Sequence, residues 1–190
     1  MPAVLLTPPA VEPLDLADAK IHLRIGHSAE DDLIHGLIQA ARLHVECAYG
    51  LALIAQGWML RIDRWPSCPA IDLPVWPVSS IEAVRVLGEE SDAFVIDAAH
   101  YILDASRPAR LVRRPGRCWP NPGMPRSGIE IGFTAGYGAA AGDVPQPIRQ
   151  ALRHLVAHLY ENRDGSETLS LGAEPAIAAS LLSPYRLHRL

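Results

Sequence analysis

The hydrophobic period of this chain changes twice, and that change constrains the fold more than any single motif. The period is helical near the N-terminal end, two-residue through the middle, and helical again after Val144. Leu33, Ile34, Leu37, Ile38, Ala41, Val45 and Ala48 recur at helical spacing, and Gly50 stops the run. At 1.5 Å per residue this helix is about 30 Å long. Ile148, Ala151, Leu152, Leu155, Val156 and Leu159 make a second apolar stripe. It is entered through Pro145 and Pro147, whose missing N–H groups cost little in a first helical turn. A shorter helix comes first, with Asp15 the expected N-cap, Asp18 in the first turn, Leu16, Ala19 and Leu23 on one face, and Gly26 the stop. Ser28 with Asp31 is the expected opening of the long helix, a variant capping box.

From Gly57 the period is two. Trp58, Leu60 and Ile62 alternate with Met59, Arg61 and Asp63, the pattern of a half-buried strand. Short strands are expected at 70–73, 81–87, 93–96, 101–103, 110–113 and 129–133, separated by Pro66, Pro69, Pro74, Pro77, Gly88, Pro108 and Pro115. Trp119 to Pro125 holds three prolines and a glycine and is a loop, and Gly136, Gly138 and Gly142 mark the exit from the strands. A last short helix is expected over 176–182, stopped before Pro184. A strand segment can bury one face in its own sheet, whereas no isolated helix can bury its stripe alone. The expected fold class is therefore α+β: a small helical bundle of the N- and C-terminal helices, with an inserted antiparallel β-domain. The expected boundaries are 14–54 plus 143–190 for the helical domain and its C-terminal extension, and 55–142 for the insertion.

The totals exclude several classes. Hydrophobic residues make up 49% and charged residues 20%, enough apolar side chain for a real core. The formal net charge of −4 carries no cationic footprint for nucleic acid or an anionic membrane. Cys47, Cys68 and Cys118 are odd in number and far apart, which reads as buried or idle thiols in a reducing compartment rather than a disulfide frame or a zinc site. Residues 1–13 lack a basic n-region and have only the short apolar run Val4–Leu6, so no signal peptide is read there. No apolar run approaches the ~20 residues of a spanning helix.

Few residues have spacing that suggests chemistry. His154 and His158 lie one helical turn apart with Glu161 nearby, a spacing that can hold a metal and would make the chain a small metal-dependent hydrolase. The hydrolase motif has Glu directly after its first His, however, and Leu155 stands there. The glycines of Phe133–Gly138 lack the Lys-Ser/Thr pair of a phosphate loop and read as a strand end. Asp31 and Asp32 point apart on a helix and suit its first turn. Arg110, Arg113, Arg114 and Arg117, beside Trp119, form a basic cluster that would serve a DNA-binding packaging accessory, or else a solvated loop or subunit contact.

The ordered set Leu16-Ala-Asp-Ala-Lys20-Ile-His22-Leu-Arg24, Asp31-Asp32-Leu-Ile34, Ala40-Ala-Arg42, Val45-Glu46, Gln56-Gly-Trp58, Leu73-Pro74 to Pro77-Val78, Tyr101, Trp119-Pro120, Thr134-Ala-Gly136-Tyr-Gly138 and Val144-Pro145 through Arg163 resembles the phage head–tail connector (adaptor) proteins. It is most similar to the branch with a β insertion, which includes the adaptor of gene transfer agents. Cys47-Ala48 and the long Ala139–Asp143 loop depart from the family pattern. The resemblance implies a non-catalytic subunit with no cofactor. It implies a ring, dodecameric in the particle and able to be monomeric in solution, between the portal protein and a tail-side neck or stopper protein. DNA would pass through the channel without specific binding. It implies assembly in the bacterial host cytoplasm and then residence in the neck of a virion or gene transfer agent particle, with no membrane partner. It also implies portal contact by the segment 176–190, carried by Leu181, Leu182, Tyr185, Arg186, Leu187 and Arg189. Aromatic and arginine side chains are enriched at interfaces, which suits that segment; the bland reading of the same residues is a frayed terminus.

Overall fold

The structure, a computed structural model, describes residues 3–88, 93–162 and 175–186. Its contacts divide the chain into two compact units, Met1–Pro9 with Ala55–Tyr137, and Ala10–Ile54 with Gly138–Leu190. The fold is α+β with antiparallel sheets.

The helical unit contains α1 (Leu16–Leu23), α2 (Asp31–Tyr49), α3 (Gln146–Glu161) and α4 (Ala176–Leu182). Asp15 caps α1 as expected, accepting from the Asp18 amide at 2.7 Å. The helix ends earlier than Gly26: Arg24 turns left-handed (φ 60) and donates its N–H to the Ile21 and Lys20 carbonyls. The expected capping box at Ser28 does not form. Glu30 is the N-cap of α2 without a side-chain cap. Asp31 is drawn instead to Lys20 Nζ at 2.6 Å, a pairing that fastens α1 to α2. Gly50 closes α2 in the left-handed conformation (φ 64) that glycine adopts without strain.

The stripe read on α3 is the buried one: Ile148, Ala151, Leu152, Leu155 and Val156 are buried, with Leu159 at its rim. It packs against α2, whose Ile34, Ile38, Ala41 and Val45 are buried, and against α1 and α4. Asp18 of α1 accepts from Arg149 at 3.2 Å and Arg153 at 2.8 Å, so one carboxylate bridges α1 to two turns of α3. Inside this unit Arg42 is 8% exposed and sits between two carboxylates, donating to Glu12 at 2.8 Å and to Glu46 at 2.8 Å. Glu46 also accepts from the Leu53 amide at 2.9 Å, so the cluster ties both the segment entering the bundle and the one leaving α2 to that helix. Burial works against the Arg42 charge, but hydrogen bonds and attraction from Glu12 and Glu46 outweigh it and raise its pKa.

The β unit contains β1 (Ala3–Thr7), β2 (Gln56–Ile62), β3 (Ala70–Asp72), β4 (Val78–Leu87), β5 (Ala93–Val95), β6 (Tyr101–Asp104), β7 (Arg110–Arg113) and β8 (Ile129–Ala135). Five strands pair in the order β1-β2-β8-β4-β5, and three in the order β3-β7-β6. The alternation read at 58–62 and 129–133 matches the central pair, with Trp58 opposite Phe133 and Leu60 opposite Ile131. On the other side of β8, Ile81 faces Phe133 and Val84 faces Ile131, with two register irregularities along β4. Phe133, Ile131 and Ile129 are fully buried, so β8 is the spine of this unit. The strand β1 was not legible in the sequence. Its side chains are almost all exposed, so no alternation marks it, and prolines flank it. Prolines thus bracket an edge strand, a place where Pro is tolerated.

The thiols are not buried: Cys47, Cys68 and Cys118 are free and exposed. Among the described residues, no helix is long and apolar enough to cross a membrane.

Candidate functional site

The residues singled out in the C-terminal segment lie on and after α4. A seven-residue helix is too short to persist alone, and α4 is held by packing on α3, with Ala178 and Leu182 buried. Leu182 is thus an anchor inside the unit, not a surface residue. Leu181 is half-buried beside it. A 3₁₀ turn over Ser183–Tyr185 follows, with the Ser183 hydroxyl donating to the Ser180 carbonyl at 2.9 Å. Tyr185 is half-buried, and the exposed Arg186 sets its guanidinium over the ring of Tyr49, 5.7 Å from the centroid. Leu187 and Arg189 lie outside the described residues. The structure therefore brings Leu181, Tyr185 and Arg186 to the end of α4 and adds a partner that sequence reading missed. Tyr49 is the last residue of α2 and is buried.

The histidines do not converge. His154 Nε2 pairs with Gln150 at 3.1 Å, and its ring meets His22 edge-on at 5.5 Å. His158 Nδ1 pairs with Asn162 at 3.0 Å, and Glu161 is exposed. Among the described residues, no group of three or more His, Cys, Asp and Glu side chains is arranged to hold a metal ion.

The His22 environment has a consequence for stability. Burial, the His154 ring and the Arg153 charge all lower the His22 pKa. The fold thus favours neutral His22, and the unfolded chain binds that proton more readily, near the ordinary value of about 6.5. The contribution is present above that pH and is lost as pH falls through it toward the folded-state value. Thermal melts of the wild type should fall between pH 7.5 and 5.5 more steeply than those of His22→Asn. Equal slopes would contradict this assignment.

The arginine cluster is largely committed to its own fold. Arg110 pairs with Asp72 at 3.1 Å, Arg113 donates to the Arg117 carbonyl, and Arg114 donates to the Tyr101 carbonyl at 3.3 Å. One face of Trp119 is taken up within the fold: it lies flat on Trp65 at 4.2 Å and 6°, while the Trp65 indole donates to the Pro120 carbonyl at 2.7 Å. The loop 119–125 is pinned by that stack. The glycines after β8 mark a strand end, with the Gly136 amide bonded to the Pro77 carbonyl at 2.8 Å and Tyr137 edge-on to Trp76 at 5.6 Å. Arg107 lies over the other part of this cluster, 4.8 Å from the Trp76 centroid, a grouping the sequence did not signal.

One apolar depression of about 480 Å³ opens in the helical unit, lined by Val11, Leu14, Leu16, Ile38 and Ala139–Ala141. Of its acidic rim residues, Glu12 is paired with Arg42 and Asp15 caps α1. Both carboxylates are thus engaged within the helical unit.

Residues 13–86 match the family described as phage gp6-like head-tail connector protein. No curated protein matches the chain. Among solved structures, a chain of the neck of an empty gene transfer agent particle, computed with C6 symmetry, is 28% identical with a TM-score of 0.85, covering 100% of this chain and 97% of that one. A chain in the virion of the native gene transfer agent particle is 27% identical with a TM-score of 0.83 and the same coverage. A third, from the native particle's neck computed with C12 symmetry, is 26% identical with a TM-score of 0.78, again covering 100% and 97%. The match across α1, α2 and the first strands, joined to a likeness that runs the full length of both chains, makes this chain similar to the phage head–tail connector proteins and to chains of gene transfer agent necks.

Proposed function

We propose that this chain is a structural subunit of a ring in the neck of a phage-like particle, seated between the portal protein and a tail-side neck protein, around a channel for DNA. The single observation that carries this reading is the full-length likeness to neck chains at 28% identity and a TM-score of 0.85. Two further features agree with it. The formal net charge of −4 suits a channel wall that must release DNA, since phosphate affinity depends on clustered cations, and three of the four clustered arginines are engaged within the fold. The side chains with metal-hydrolase spacing pair separately, His154 with Gln150 and His158 with Asn162, which supports an assembly role. The protein would be made in the host cytoplasm and end in the particle.

Within this reading, the segment from α4 through Arg186 is the portal-facing element, presenting Leu181, Tyr185 and Arg186, with Leu187 and Arg189 continuing it. Leu182 holds the element to α3 and does not touch the portal. Particles from cells lacking the gene should be DNA-filled heads without tails, and resupplying the chain should restore tails. Resupplying Arg186→Glu should restore far fewer, at least tenfold down, while the purified variant melts within a degree or two of wild type. Tailed particles made without the chain would refute the connector role; normal rescue by Arg186→Glu would refute only the portal face.

A further inference from the structure

Among the described residues of the β unit, the large apolar side chains left exposed all lie on edge strands. Val4, Leu5 and Leu6 are 47%, 40% and 55% exposed on β1, at one end of the five-stranded order. Phe94 and Val95 are 63% and 55% exposed on β5, at the other end. Ile102, at 44%, is on β6, the edge of the second sheet. Natural edge strands are usually blunted by lysine or another charge, because an apolar edge invites association. Neither β1 nor β5 contains a charged residue.

We propose that the β1 edge of one copy packs against the β5 edge of the next copy around the ring. The inference rests on the ring reading above and names its subunit contact. A cyclic ring is built from one heterologous contact, so each subunit must present two unlike surfaces, one to each neighbour. The two ends of the five-stranded sheet are such a pair: unlike in sequence, opposite in position, both apolar. A β1-to-β1 contact would be isologous and close at a dimer, which excludes it as the contact of a ring of the C6 or C12 symmetry used for the neck structures.

The contact is made by side chains and not by one hydrogen-bonded sheet continued from copy to copy. Strands rotate by roughly 20–25° per step, so the five steps from one β1 to the next would accumulate about 100–125°. Neighbours in C6 or C12 rings differ by only a sixth or a twelfth of a turn. The twist far exceeds the rotation available.

The test uses assembled particles. Cys47, Cys68 and Cys118, exposed and unbridged, are replaced by alanine. Leu5→Cys and Phe94→Cys are then introduced together and singly, and particles are treated with a short bis-maleimide. The double variant should give a ladder of multiples of this chain beyond the dimer, and the single variants no such ladder. Leu6→Lys and Phe94→Lys should each lower the chain's abundance in particles at least tenfold while melting like wild type in solution. The proposal is overturned by absence of the ladder, by a cross-link to a different protein in its place, or by normal incorporation of both lysine variants. Absence of the unsubstituted chain from particles would overturn the ring reading and this contact together, whereas its presence without a ladder overturns the contact alone.

Discussion

Replacing Arg42 by alanine is expected to destabilise the helical unit by about 3–5 kcal/mol, the usual consequence of removing one partner from a buried ion cluster. The side chains of Arg42, Glu12 and Glu46 are 10%, 17% and 9% exposed, so water does little to screen the two carboxylates once the guanidinium is gone. The loss spreads beyond the pair. Glu46 also holds the Leu53 amide, and Glu12 fixes the chain as it enters the bundle. Arg42→Lys should lose less than alanine but not recover wild type, because an ammonium cannot reproduce the guanidinium fork that reaches both carboxylates. Denaturant unfolding of the three purified proteins measures this. A loss below about 1 kcal/mol for alanine would show that the cluster is a surface pair, of the kind that contributes little.

Phe133→Ala should be comparably severe in the β unit, again about 3–5 kcal/mol, as for other buried aromatic truncations. Phe133 is fully buried on β8, and its register neighbours are Trp58 on β2 and Ile81 on β4. A cavity there opens at the strand that joins both halves of the five-stranded sheet. Phe133→Leu keeps most of the volume and should cost under about 1.5 kcal/mol. If leucine and alanine cost the same, the site collapses freely and β8 is not the packed spine described above.

How much of this was readable beforehand follows from how strongly each segment's surroundings impose a period. The α2 and α3 stripes were readable because one face of each helix is buried and the other wet, which writes a 3.6-residue repeat into the sequence. The central strands β2 and β8 were readable at period two, although Met59, read on the outer set of β2, is buried and Trp58 only half-buried. The edge strand β1 was not, because Val4, Leu5 and Leu6 are consecutive and all exposed, so neither period appears. The start of α2 was misplaced at Ser28 because the competing Lys20–Asp31 attraction is a tertiary contact, eleven residues apart, that local capping rules do not contain. The same limit hid Tyr49 beneath Arg186, and Trp76 between Arg107 and Tyr137, since those residues meet only after folding. The histidine pair shows the converse. Its one-turn spacing was visible, and only side-chain placement shows His154 turned to Gln150 and His22 while His158 turns to Asn162. For Leu182, the sequence supplied an apolar residue in an interface-like tail, and burial against α3 makes it an anchor.

The connector role is tested most directly by a localised reconstruction of the neck in particles that carry this chain. The expected density is a closed ring of copies of this fold between portal and tail, with α4 and Arg186 turned to the portal and the β1 and β5 edges between neighbours. A neck whose density is accounted for without this chain, or tails attached normally when the chain is absent, would contradict it.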